Sequence, residues 1–205
     1  MGAELDLTEE LRNYIYPINL KELSLLIQED QQALSKANEL LIPLVLSGLI
    51  AKSSQSGGTE MIFLLAIDAV NKQQNDLRNI WVDDGNLLKR SQYNAALLLE
   101  GLQTNIYSTI NTICQIKFNS LKILTALSTL QALKYLGEII RKNQLTVHDL
   151  YFFLRAKQMK LADKLPTDFA KLLENSNEHR TGVIDESVFW KNLRNGMQKA
   201  IAMFF

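Results

Sequence analysis

The chain is 205 residues long, 47% hydrophobic and 21% charged, a balance that suits a folded globular domain and excludes a disordered polar segment. Its 22 Lys and Arg cancel its 22 Asp and Glu, so no net field draws a polyanion and no nucleic-acid partner is expected. Cys114, the only cysteine, excludes an intramolecular disulfide and a cysteine-built metal site; it reads as a small buried hydrophobe.

The N-terminus, Met1-Gly-Ala-Glu-Leu-Asp, is acidic and lacks the basic and apolar regions of a secretory signal. No uninterrupted run of about 18 apolar residues follows. The residues themselves therefore predict no membrane span and, by default, a cytoplasmic location. Only 9 Gly and 3 Pro interrupt the chain, and apolar residues recur at helical spacing, which predicts an all-α fold. A first helix over 5–15 has Thr8 placed to cap it and Pro17 to end it. A short helix over 20–29 follows. Asp30 is placed to cap a longer helix over 31–52. From Leu40 to Ile50 that helix is apolar on every side, which predicts complete burial. Pro43 within it predicts a kink that releases the carbonyl of Glu39. Beyond the loop Ser53-Ser-Gln-Ser-Gly-Gly, Thr59 is placed to cap a helix carrying Ile62, Leu65, Ala66 and Ala69. The stretch 71–86, with Trp81 and the turn Asp83-Asp-Gly-Asn, is the least regular. Helices then follow at about 87–102, 106–116, 120–142, 147–160 and 167–174, with Thr146 and Asp149 spaced as a capping box. The expectation is one core of about eight to ten helices over 1–174, a linker over 175–185 and an amphipathic helix over 186–205.

Residues Gln32 to Leu44 align with Asn119 to Gln131, 87 positions later. Each segment opens after a polar break, follows a short amphipathic helix, becomes a long apolar helix and leads through a polar loop to Thr59 or Thr146. A slip of two or three residues then brings Phe63-Leu-Leu-Ala onto Phe153-Leu-Arg-Ala. Any two buried helices share some of this likeness. The order of features nevertheless predicts an internal duplication of a helical unit, with pseudo-repeats at about 20–70 and 105–160 around two long buried helices. Leu41, Leu44, Val45, Leu49, Leu124, Leu127, Leu133 and Leu136 are the expected shared core.

Chemistry is harder to find. His148 and His179 are the only histidines, 31 residues apart, and both read as surface residues; no HExxH pairing exists. A Ser-His-Asp or Cys-His system has no parts to assemble. Asp83-Asp-Gly-Asn lacks the alternating oxygens of a calcium loop, and Gly57-Gly58 is followed by no phosphate-binding pattern. Glu22, Glu29, Asp30, Glu39 and Glu60 read as solvated acids at helix ends and polar faces. No catalytic residue, metal site or cofactor is expected, and the chain is not expected to be an enzyme. The 20–52 segment loosely follows a helix-turn-helix, but a recognition helix needs a polar, basic face and this one offers Lys36 before eleven core residues. The C-terminal helix carries an apolar stripe of Phe189, Leu193, Met197, Ile201 and Phe204, with Trp190 near its start. Docking on the chain's own core, a dimer contact, a membrane-surface helix and the cut edge of a longer protein are the four readings it leaves open.

The string from Ala33 to Gly58 (ALSKANELLIPLVLSGLIAKSSQSGG) resembles the first hallmark of the YidB-like bacterial family, a small-residue helix running into an apolar stretch around proline and then a glycine-bearing loop. Ser120 through Lys142, including Leu136-Gly137, is similar to its second hallmark, with Leu130 where the family often carries proline. Lys164-Leu-Pro-Thr-Asp-Phe-Ala-Lys-Leu-Leu looks like its closing motif. The resemblance covers about 20–174 and implies an all-helical domain with no known catalytic residue or cofactor. The Bacteroidetes-type members are closest in pattern, and some carry a downstream membrane segment and an OmpA-like domain. The expected role is a helical interaction or scaffold domain with a protein partner or self-association, tethered to the envelope if the full-length protein continues. DNA binding through the helix-turn-helix-like element comes second, and an enzyme of unrecognised type third.

Overall fold

The computed structural model describes residues 7–15, 20–71 and 86–162. The chain divides into two compact units, Met1–Phe169 and Ala170–Phe205, and every described residue belongs to the first. Trp81, the Asp83-Asp84-Gly85 turn, the helix expected over 167–174, the linker and the tail helix lie outside the described residues.

The described residues form eight helices and no strand: α1 Leu7–Ile15, α2 Leu20–Ile27, α3 Gln31–Ser53, α4 Gly58–Asn71, α5 Asn86–Leu99, α6 Gln103–Cys114, α7 Phe118–Asn143 and α8 Val147–Ala162. The fold is all-α. Its axis is the pair α3 and α7, which pack on each other and between them meet all six other helices. Both are long, 23 and 26 residues, about 35–39 Å at the helical rise. Leu41, Leu44, Val45, Leu49, Leu124, Leu127, Leu133 and Leu136 are all buried, none more than 2% exposed. By length and composition α3 could cross a membrane, but 67% of its most apolar window is buried inside the fold. It is the core helix that its all-round apolarity predicts. The helix continues through Pro43, itself buried.

Several local expectations need correction. Thr8 lies inside α1 and is buried, so it is not that helix's cap. Thr59 is inside α4, where its hydroxyl donates 2.9 Å to the carbonyl of Ser53 instead of accepting from the helix start. The α4 helix begins one residue earlier at Gly58, where a Cβ would lie 1.8 Å from the carbonyl oxygen of Lys52, so only glycine fits. α5 stops at Leu99 because Glu100 and Gly101 turn left-handed (φ 31° and 77°). α6 and α7 begin at Gln103 and Phe118, earlier than the apolar periodicity suggests.

The order of elements recurs. α2 ends at Ile27 and α6 at Cys114, 87 positions apart; Gln28 and Gln115 then turn left-handed with φ 54° and 57°. Ser24 Oγ donates to the carbonyl of Glu29 at 2.6 Å, and Asn111 Nδ2 to that of Ile116 at 2.7 Å, again 87 positions on. α3 and α7 start in register, opened by Asp30 (φ −65°, ψ 135°) and Lys117 (φ −60°, ψ 146°). α4 and α8 start with a slip of two residues. The two hairpins also exchange packing: α4 lies on α7, and α8 lies on α3. At Gly137 of α7 a methyl group would meet the carbonyl oxygen of Ala66 at 2.3 Å, so α4 and α7 approach at a distance that excludes any side chain.

Candidate functional site

Two places in the described structure gather polar groups that the apolar core does not require. The first is the end where the turns after α2 and α6 meet. Glu29, half-buried between α2 and α3, accepts from the backbone N–H of Lys117 at 3.0 Å and from the hydroxyl of Ser120 at 2.6 Å. Lys117 Nζ donates back to the carbonyl of Gln28 at 3.1 Å. Lys117 has no side-chain cap of its own, so Glu29 serves as the N-terminal cap of α7, supplied from the other hairpin. A carboxylate there also suits the positive end of the helix dipole. Reading Glu29 as a solvated acid is therefore wrong. Asp30 caps its own helix as expected, accepting from Ala33 N at 2.9 Å. Leu25, Leu26, Ile113 and Phe118 all sit within four residues of this junction, and each is at least 40% exposed.

The second place is a cleft between α4, α5 and α7, lined by Asp68, Arg90, Ser91, Asn94 and Lys134 among the apolar Leu65, Ala69, Leu87 and Leu130. Its free space is about 20 Å³, room for roughly one water molecule. Arg90 and Asp68 approach to 3.8 Å as a half-exposed ion pair. Lys134 is 8% exposed, and burial pulls its amine below the ordinary lysine range, with Glu138 acting in the opposite sense. Leu130 occupies the position 87 residues after Pro43. Elsewhere Lys52, also buried, pairs with Glu100, which further accepts from Gln55 Nε2 at 3.3 Å; this ties the end of α3 to the turn after α5.

Cys114 is buried, and burial pushes its thiol up while Lys36 pulls it down. His148 is exposed, edge-on to Phe152 at 4.7 Å. Among the described residues no three His, Cys, Asp or Glu side chains come together to hold a metal ion. The helix that a helix-turn-helix reading would place in a groove, α3, leaves only Gln31, Gln32, Lys36 and Glu39 exposed. The stripe singled out in the sequence, Phe189, Trp190, Leu193, Met197, Ile201 and Phe204, lies outside the described residues. Neither the Glu29 junction nor the cleft is visible in the sequence. Each combines residues from helices far apart in the chain, and no local spacing marks them. No family model, curated protein or solved structure matches the chain.

Proposed function

We propose that this chain is a non-enzymatic helical interaction domain that presents the end of its two hairpins to a protein partner. The observation that carries the reading is the set Leu25, Leu26, Ile113 and Phe118, each exposed and within four residues of Glu29 or Lys117, whose hydrogen bond joins the two turns, while the core is filled without them. Large apolar side chains held in water on a rigid frame favour association. The resemblance to the YidB-like family supports the same reading, and it extends the proposal to a domain that is tethered to the envelope within a longer protein. The recurrence of turns and hydrogen bonds at a spacing of 87 supports an origin by internal duplication.

A photocrosslinking residue at position 26, with a control at exposed Lys142, tests the reading in cells that express the protein. One discrete protein adduct at 26, lost in the Phe118→Ser variant and absent at 142, is the expected result. A ladder of self-adducts would name a second copy as the partner. No adduct at 26, together with DNA retention that falls steeply with salt in a mobility-shift series, would replace the reading by DNA binding. Turnover found in broad substrate profiling would replace it by an enzyme. The C-terminal stripe is proposed as further contact surface. Deleting 186–205 lowers stability if it docks on its own core, changes apparent mass if it dimerises, and abolishes liposome binding alone if it lies on a membrane.

A further inference from the structure

The exposed apolar residues at the two joined turns follow the internal repeat. Leu26 (59% exposed) and Ile113 (40% exposed) lie 87 positions apart, each two residues before a left-handed glutamine, Gln28 or Gln115. A large apolar side chain held in water at both equivalent positions points to a contact that covers it. The residues that open α3 and α7, Asp30 and Lys117, are also 87 apart and both exposed, but they carry opposite charges. Ala33 N occupies one carboxylate oxygen of Asp30, and Lys117 Nζ gives one of its three hydrogens to the Gln28 carbonyl. Each therefore keeps hydrogen-bonding capacity toward solvent.

We propose that a second copy of this chain covers the joined turns, in an isologous dimer that sets Leu26 against the partner's Ile113 and Asp30 against the partner's Lys117. This rests on the interaction reading above and names its partner. A two-fold contact is self-complementary: where residue i meets residue j, j meets i in turn. The two turns carry that pattern, with apolar residues at one pair of equivalent positions and opposite charges at the other. A half-turn between copies satisfies both pairs twice. A polyanion or an anionic membrane would be drawn to Lys117 and repelled by Asp30 at the equivalent position. The 22 basic and 22 acidic residues of the chain leave no net charge to hold two copies apart. Leu25 and Phe118, also exposed within four residues of the joined turns, widen the apolar contact.

The test is sedimentation equilibrium of the full chain over a concentration series. The mass rises with concentration from that of one chain toward that of two. Leu26→Ser and Ile113→Ser, substitutions at exposed positions, keep the melting temperature and weaken dimerisation by about tenfold or more. Leu64→Ser, at an exposed apolar position on α4 away from the turns, leaves it unchanged. Asp30→Asn, which keeps a capping side chain, and Lys117→Gln each weaken the dimer. The double variant is no weaker than either single one, because both break the same pair. A chain that stays monomeric at every concentration, or a dimer that Leu26→Ser and Ile113→Ser leave intact, overturns the proposal. So do fully additive losses in the two charge variants. A monomeric chain that still crosslinks at position 26 to a different protein overturns the second copy and leaves the interaction reading standing. A monomeric chain with no adduct there ends both.

Discussion

Glu29 and Ser120 stand 91 residues apart in the chain and share a 2.6 Å hydrogen bond, by which one hairpin caps the central helix of the other. An N-cap removed from a helix end costs ~1 kcal/mol and up to about 2. Glu29→Ala should therefore lower the free energy of unfolding in urea by that amount. Ser120→Ala should cost less, since the Lys117 N–H still reaches the carboxylate. The double variant should cost less than the two singles combined, because both act on one network. Strict additivity would show that the two groups do not work together.

The core predicts larger effects. Leu44 and Leu133 are both fully buried, and truncation to alanine should cost ~2–5 kcal/mol each. Gly137→Ala removes nothing, yet it should destabilise by about 1–3 kcal/mol or more, because the added methyl meets the Ala66 backbone and α4 must move away. Thermal melts of the three variants check this. A Gly137→Ala protein that melts like the parent would mean that the α4–α7 approach is looser than 2.3 Å implies.

The capping box at the start of α8 gives a pH signature. Thr146 Oγ1 and N donate to Asp149 Oδ2 at 2.7 and 2.9 Å, and Asp149 N donates back to Thr146 Oγ1 at 3.2 Å. These bonds, the hydroxyl's first, hold the Asp149 carboxyl below its ordinary range. A folded-state pKa lower than the unfolded one contributes stability above the unfolded value and loses it as pH falls through the folded value. The difference in melting temperature between the parent and Asp149→Ala should thus be present at neutral pH and shrink toward zero as pH drops below the usual carboxylate range. A difference that stays constant to strongly acid pH would exclude this source.

Cys114 should be inert while the protein is folded. It is 6% exposed and its thiol is raised by burial, so little thiolate forms near neutral pH and access is poor. A disulfide reagent should modify it slowly in buffer and at once in denaturant. Rapid stoichiometric reaction of the native protein would contradict the burial of the α6 end.

What the sequence revealed and what it hid divide along one physical line. The buried leucines, the Asp30 cap and the Thr146–Asp149 box are written in residues a few positions apart, so periodicity and spacing find them. Helix ends set by left-handed residues such as Glu100 and Gln115 are weaker signals, because neither residue type favours that conformation. Glu29, the Lys52–Glu100 pair and the cleft depend on partners from other helices. Asp68, Arg90, Asn94 and Lys134 each look like ordinary polar positions until three helices bring them together.

The exchange of packing between hairpins has a consequence for how the chain is made. The Ala66 face of α4 is covered by Gly137 of α7, which the ribosome adds about seventy residues later. At ~5–20 residues per second the first hairpin waits roughly 4–15 s before its covering helix exists. During that interval the nascent chain offers bare apolar surface to whatever chaperone stands at the exit tunnel, and folding of this unit is in effect gated by translation through Asn143.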